Sequence, residues 1–411
     1  MRRPKALFCG FLSFTFLFLL FPRFIFADFK LLDAIKEFGE KRFTEPQPTR
    51  LKAGPVRIHP TARTSIEYDD NILLEHDDAR EDVVFNLRPG AIVEIPVDKH
   101  QLTLGYEAQF EIFTKTSRQN DQNQNFFALA DLHFPSWYVN VLETFAETSS
   151  RSGTTFSDRI PRYDQAIHPK VGYRWKRVIF EAGFRHFLRD FRRQVDDARD
   201  FQLVEWTGVI YYDLFAKLKA LAEYQVAQID YDDSFVRNGT FQQTRAGLEG
   251  EIFPNSFVKV RVGPQFRNYE VSSKPNFNSW VADLAVDYDI RKNLKLRFSA
   301  SRNAVEATFG SINFYKEHAL RFGFEYTFIP RWIFFTSAGY IRHDYAERAT
   351  ADGLVDTFRH DNHVTVETGI RFLPREWLEF QLAYEHLHRE SNFATFDYSD
   401  NRISFTSALT Y

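Results

Sequence analysis

Cysteine is all but missing from this chain: Cys9 is the only one. It lies in an apolar run without a lipobox around it, so a lipoprotein is excluded. The chain beyond that run has no thiol for disulfides or cysteine–metal sites. Long apolar stretches are equally scarce. Residues 6–21 form one such run, and nothing later approaches the ~18 consecutive apolar residues of a spanning helix. The mean hydropathy of -0.39 is too polar for a helical membrane protein. A one-sided charge is missing too. The net charge is -3, and no basic run stands beside a candidate reading helix, so no nucleic-acid partner is expected.

Aromatic residues are abundant. They make up 17% of the chain, including 45 Phe. A chain rich in aromatics yet polar on average suits a membrane barrel, in which lipid-facing and lumen-facing residues alternate and average out. Length alone would also permit two or three soluble domains.

The first residues form a targeting segment. Arg2, Arg3 and Lys5 make a basic n-region ahead of the apolar run, and a cleavage point follows Ala27. Residues 1–27 therefore read as a secretory signal peptide. An uncleaved anchor is the alternative, because Ile25 stands where a small residue is usual and Pro22-Arg23 interrupts the approach. Residues 28–55 form a periplasmic leader. Phe29, Leu32, Ile35 and Phe38 recur at helical spacing, which predicts a short amphipathic helix ending near Gly39. Glu45-Pro46-Gln47-Pro48 then makes a stiff linker. The leader is either a docking helix or partial plug, or a loosely ordered lead-in to the first strand.

From residue 56 to 411 no further helix is evident. Short connections at 96–99, 135–137, 176–177, 213–215, 254–256, 289–292, 329–331 and 373–376 alternate strictly with longer polar ones. The longer set is 70–81, 117–122, 150–163, 193–200, 233–239, 270–277, 305–313, 346–358 and 390–399. That alternation predicts an all-β transmembrane antiparallel β-barrel of about 18 strands, with tight periplasmic turns and longer extracellular loops. The last strand shows the pattern clearly. Ile403, Phe405, Leu409 and Tyr411 share one parity and Arg402, Ser404, Thr406 and Thr410 the other, so one face is apolar and one polar. A final strand closing on an aromatic resembles the signal read by the barrel-assembly machinery, with Phe405, Leu409 and Tyr411 as its residues. Leu320, Phe322, Phe324, Tyr326 and Phe328 form another unbroken apolar face. Trp137, Trp175, Trp332 and Trp377 stand within or beside short turns, as a periplasmic aromatic girdle requires. Closure leaves no unpaired edge, which lipid does not tolerate. The outer membrane of a Gram-negative bacterium is the expected location, with its lipid as a partner.

The opposite parity carries the lumen. Lys217, Lys219, Glu223, Lys259, Arg261, Arg267, Asp283, Asp287, Lys295, Arg297, Arg321 and Glu325 are the expected lumen-facing residues, followed by Glu367, Arg371, Glu379 and Glu385. Charges of both signs on neighbouring strands either brace the wall in cross-strand ladders or, through Lys259, Arg261, Arg267 and Arg297, form a basic strip for an anionic solute. The acidic loop 69–82 lacks the glycine and ligand spacing of a calcium loop and reads as a solvated surface. His343-Asp344 with His360 and His363 are either a metal site or, as histidines at an outer rim usually are, unpaired surface residues. No metal, cofactor or catalytic residue is assigned, and no Ser/His/Asp set argues for hydrolysis.

Gly54-Pro55, Arg57-Ile58-His59-Pro60, Glu67-Tyr68-Asp69-Asp70-Asn71-Ile72 and Arg88-Pro89-Gly90 resemble the opening of the outer-membrane family called putative beta-barrel porin 2, which includes exopolysaccharide-associated barrels. The resemblance implies a barrel that exports or accommodates a surface polysaccharide with a periplasmic export partner. Two other readings stay open: a diffusion porin for small solutes, and a plugged structural or adhesin barrel. A loop folded inward as a constriction would favour the diffusion porin, and no loop stands out in length. A TonB-coupled importer is not expected, because no plug-sized domain stands before the barrel.

Overall fold

The computed structural model describes residues 51–149, 159–232, 237–307, 312–351 and 354–411. The expected signal peptide, amphipathic helix and proline-rich linker lie outside the described residues. A short strand, β1 (Leu51–Ala53), precedes the barrel and pairs with the start of β2 across a turn in which Gly54 takes a positive φ.

The barrel strands are β2 (Val56–Asp69), β3 (Asp82–Val97), β4 (His100–Phe113), β5 (Asp121–His133), β6 (Trp137–Thr148), β7 (Arg162–Trp175), β8 (Val178–Phe191), β9 (Phe201–Phe215) and β10 (Leu218–Tyr231). They continue as β11 (Gly239–Gly250), β12 (Ser256–Tyr269), β13 (Phe277–Arg291), β14 (Leu294–Glu306), β15 (Phe314–Ile329), β16 (Trp332–Ala351), β17 (Leu354–Arg375), β18 (Leu378–Ser391) and β19 (Tyr398–Thr410). Each pairs antiparallel with its neighbour in sequence, and β19 pairs with β2 from Arg402↔Asp69 to Thr410↔Thr61. The result is a closed barrel of eighteen antiparallel strands.

The alternation seen in the sequence sets the two faces. Ile66, Phe85, Trp206, Leu320, Leu382 and Phe405 are all at least 42% exposed on the outside. A soluble monomer rarely shows so continuous an apolar surface, but lipid covers it here. Most strands are 12–16 residues long, and ~9–11 tilted residues cross the hydrocarbon. The excess builds the rim on the long-loop side.

Strand boundaries differ from the sequence expectation at several places; β13, for example, runs to Arg291 and β17 to Arg375. Residues 346–358, expected as a loop, are mostly strand, because β16 and β17 continue past the apolar band with register shifts at Asp344/Arg348 and Ala349/Ala351. A hydrogen-bonded ladder needs no apolar exterior to persist, and Arg348 bridges to Asp356 across the hairpin at 3.0 Å. Residues 213–215 are strand rather than turn. Lys217, expected on the lumen wall, therefore lies in the turn between β9 and β10, 70% exposed at its side chain and paired with Glu251 of the next turn.

The seam between the first and last barrel strands is held at both ends. On the short-turn side the Tyr411 amide donates to the Pro60 carbonyl at 3.1 Å, and its ring lies edge-on to Trp377. On the loop side Asp70 accepts two hydrogen bonds from Asn401, from its backbone N–H and its Nδ2, both at 2.7 Å. Asn71 is buried. Its Nδ2 donates to the carbonyls of Glu75 and Ser399, and its Oδ1 accepts from the Glu75 amide. The Tyr68-Asp69-Asp70-Asn71 stretch is thus a clasp across the seam.

Two outcomes follow from this seam. Asn71→Ala strands buried partners and is expected to lower unfolding stability by roughly 1–3 kcal/mol, read as an earlier midpoint in urea; an unchanged midpoint would remove the clasp role. Deleting Tyr411 is expected to cut the yield of heat-modifiable barrel in outer-membrane fractions several-fold, with mutant protein accumulating unfolded. Full recovery would show that the terminal aromatic is dispensable for assembly.

Candidate functional site: the lumen

The inward side chains divide the lumen into two halves. Toward the short turns they are partly solvated; Asp287, for example, is 57% exposed at its side chain. Toward the long loops they are closely packed, and Arg162, Asp164, Arg359, Asp361 and Asp400 are fully buried.

At mid-height the wall from β10 to β13 carries a charge network. Arg245 donates to Glu223 at 2.7 Å and to Asp283 at 2.6 Å. Arg261 donates to the other Glu223 oxygen at 2.5 Å and to Glu249 at 3.3 Å. Farther round, Arg297 pairs with Asp287 and Glu325, and Arg371 approaches Glu325 at 3.6 Å. Above the network runs a ladder of amides. Gln243 donates to Gln225, Gln265 donates to Gln243, and Arg267 donates to Gln265. Gln225, Gln243 and Gln265 are register partners on β10, β11 and β12, and Arg267 extends the row two residues along β12.

The loop end of the lumen holds the β14–β15 hairpin. β12 and β13 stay paired up to Arg267↔Phe277, and β14 and β15 up to Glu306↔Phe314. Pairing between β13 and β14, however, begins only at Ala282↔Arg302. The wall parts there. Ala304 and Phe314, outward by parity, pack against Tyr269, Phe277 and Val281, which are inward by parity. The Phe314 ring stacks on Tyr269 at 5.9 Å and meets Phe277 edge-on at 5.7 Å. The hairpin end has therefore passed to the lumen side of β12 and β13. Arg267 donates to the Ala304 carbonyl and to Glu306, and Arg237 donates to the Ala307 carbonyl while lying over Tyr231. Glu347 accepts from the Asn313 amide at 2.9 Å and pairs with Lys274 at 2.7 Å. Burial of three aromatic rings offsets the lost ladder bonds at the parting.

The sequence-predicted residues fall as follows. Glu223, Arg261, Asp283, Asp287, Arg297 and Glu325 meet in the networks just described. Lys219 lies on Tyr211, with its ammonium 5.7 Å from the ring centre. Lys259 stands opposite Glu249, Lys295 opposite Glu325, and Arg321 opposite Gly339. Arg261, Arg267 and Arg297 of the basic strip each have a carboxylate partner, so the strip is charge-compensated rather than a one-sign track. Trp137 opens β6, Trp175 ends β7, Trp332 opens β16 and Trp377 precedes β18, all at the short-turn end. In the first loop Glu81 accepts from Lys115 and from the Tyr68 hydroxyl, which hold its carboxyl below the usual range.

Sequence reading passed over Arg245, Gln265 and the buried cluster of Arg162, Asp164 and Arg189. Arg245 shares the parity of Gln243 and Glu249, and that was the available signal. The inward hairpin had none in loop length, because the residues that reach the inner wall belong to the strand ends.

A closed eighteen-strand barrel with an apolar exterior, a charged interior and aromatics at its short-turn rim defines a porin-type outer-membrane β-barrel, located in the outer membrane of a Gram-negative bacterium. The chain belongs to the family described as putative beta-barrel porin 2, whose model matches residues 187–410. Among solved structures it is similar to the outer membrane protein OpdK of Pseudomonas aeruginosa (TM-score 0.48, 10% identity, covering 86% of this chain and 99% of that one). It is also similar to OccK5 (OpdH) of the same organism (0.46, 13%, 87% and 100%) and to OccAB3 of Acinetobacter baumannii (0.46, 11%, 87% and 99%). No curated protein sequence matches the chain.

Proposed function

We propose that the protein is a diffusion channel for small hydrophilic solutes, narrowed at its extracellular mouth by its own β14–β15 hairpin. The observation that carries this reading is the seating of that hairpin on the inner wall by Arg237, Arg267 and the Tyr269–Phe277–Phe314 rings. A lumen lined by compensated charges of both signs offers hydrogen bonds along its length without a deep well for either ion sign. Such a wall suits neutral or zwitterionic solutes. A polysaccharide in transit needs a continuous bore, which a hairpin packed into the mouth opposes. Of the motif residues behind the resemblance to exopolysaccharide-associated barrels, Asp69, Asp70 and Asn71 close the seam, while Arg88 stands on β3 opposite Arg63 on the inward face.

The test is reconstitution of the purified barrel into a planar bilayer and into liposomes. Small, discrete, weakly ion-selective conductance is expected, with swelling by small sugars and a sharp size limit. Absence of both would overturn the reading. Loss of surface polymer in a clean deletion strain, restored by the wild-type gene, would favour export instead.

A further inference from the structure

We propose that the lumen holds a site for a divalent transition metal of the zinc class, built from His343, Asp361 and His363 beneath the loop-side rim. The inference stands on the side chains alone and does not depend on what crosses the channel.

The site is a product of register. His343 of β16 and Asp361 of β17 are directly opposite, and His363 follows two residues on, on the same inward face. One ligand atom from each lies within 4.8 Å of the others. Ligands around a tetrahedral zinc stand about 3.4 Å apart, given bond lengths of about 2.0–2.2 Å, so small side-chain rotations gather the set. Two imidazoles and a carboxylate, with no thiol, select zinc-like ions over calcium or magnesium.

The surroundings are arranged around those three groups. His343 is 1% exposed, and its Nδ1 is buried with no hydrogen-bond partner. Its Nε2 lies 3.1 Å from Glu317 Oε2. With the ring proton directed at Glu317, Nδ1 keeps a lone pair, which is how outer carboxylates orient metal-binding histidines. Leaving that nitrogen buried and unpartnered otherwise carries a desolvation penalty. Asp361 is held as well. Its Oδ1 accepts from Arg359 Nε at 2.8 Å and Ser391 Oγ at 2.7 Å, and its Oδ2 accepts from Arg359 Nη2 at 2.6 Å. Tyr345 OH stands 3.5 Å from Oδ2. A carboxylate has about four lone-pair directions, and the long Tyr345 contact on Oδ2 is the one a metal would replace. Arg359 and Arg389, the latter opposite His363 on β18, oppose a cation, and the carboxylates of Asp361 and Glu317 balance them. Arg359 also lies over the Phe396 and Tyr345 rings, which share its charge.

The sequence grouped His343, Asp344, His360 and His363; the structure keeps His343 with His363 and separates them from Asp344 and His360. Asp344 and His360 bond to each other at 2.8 Å on the outer face, across the wall from His343.

The experiment uses the full chain, refolded in detergent, stripped with chelator and titrated with Zn²⁺ by calorimetry, with Co²⁺ absorption as a second readout. One Zn²⁺ per barrel is expected, with H343Q and H363Q each weakening binding at least tenfold and E317Q weakening it by about 10–100-fold. H360Q, on the outer face, is expected to bind as wild type does. Heat-modifiability on gels establishes that each variant is folded, and E317Q and H363Q carry the test if H343Q is not. No saturable binding by the wild-type barrel would overturn the proposal. So would binding that survives H343Q and H363Q but is lost in H360Q.

Discussion

Arg267→Ala is expected to raise the unit conductance of the reconstituted barrel several-fold and to raise the size limit for sugars in liposome swelling. Arg267 is 8% exposed and joins the inner wall to the hairpin end through Ala304 and Glu306, while its guanidinium lies over Phe241 at 4.9 Å. Truncation leaves the Glu306 carboxylate and the Ala304 carbonyl without that donor in a buried setting, which is costly unless water enters. Water entering at that point is the opening of the mouth. Barrel stability should change less than conductance, because eighteen strand pairings remain intact. Arg237→Ala should act in the same direction, and the two should be less than additive, because both hold one hairpin end. Unchanged conductance in both variants would place the constriction elsewhere.

Asp164→Ala is expected to give the largest loss of stability of any lumen substitution. Asp164 is fully buried and accepts from Arg162 Nε at 3.1 Å and from Arg189 Nε and Nη2 at 2.7 and 3.1 Å. Removing the carboxylate leaves two buried guanidinium groups facing one another. Breaking a buried charge cluster from one side costs roughly 3–5 kcal/mol, whereas replacing the whole cluster with apolar residues of like volume is often neutral. Urea unfolding followed by tryptophan fluorescence reads this directly. A large drop for Asp164→Ala, with recovery when Arg162 and Arg189 are also replaced by leucine and methionine, is the expected pair of results. A small drop for the single variant would mean that water reaches the cluster.

Barrel class, strand number and the side of the short turns were legible because each rests on a local rule. Alternation along one strand needs no knowledge of its neighbour. Tight turns are set by two or three residues, and the girdle tryptophans lie beside them. Lys217 was misplaced because strand ends are decided by the neighbour's ladder, and β9 and β10 pair farther than apolar alternation shows. The same applies to residues 346–358, where the ladder outlasts the apolar band.

The lumen was legible only as a list. Parity names Glu223, Arg261 and Asp283 as inward, but it cannot say that Arg245 joins Glu223 to Asp283. That depends on which residues share a height after β10 to β13 have slid into register. His343 and Asp361 are eighteen positions apart and meet only because the β16–β17 hairpin pairs them. Asp70 and Asn401 meet only because the barrel closes.

The sequence alone determined that this chain forms an outer-membrane barrel, because alternation, turn length and aromatic placement follow from backbone geometry and from the solvent on each side of the wall. The tertiary structure alone decided where the β14–β15 hairpin seats, which charges compensate one another, and which histidines and carboxylates converge. Those outcomes depend on register and on the parting between β13 and β14, and both are set by the summed packing of many strands.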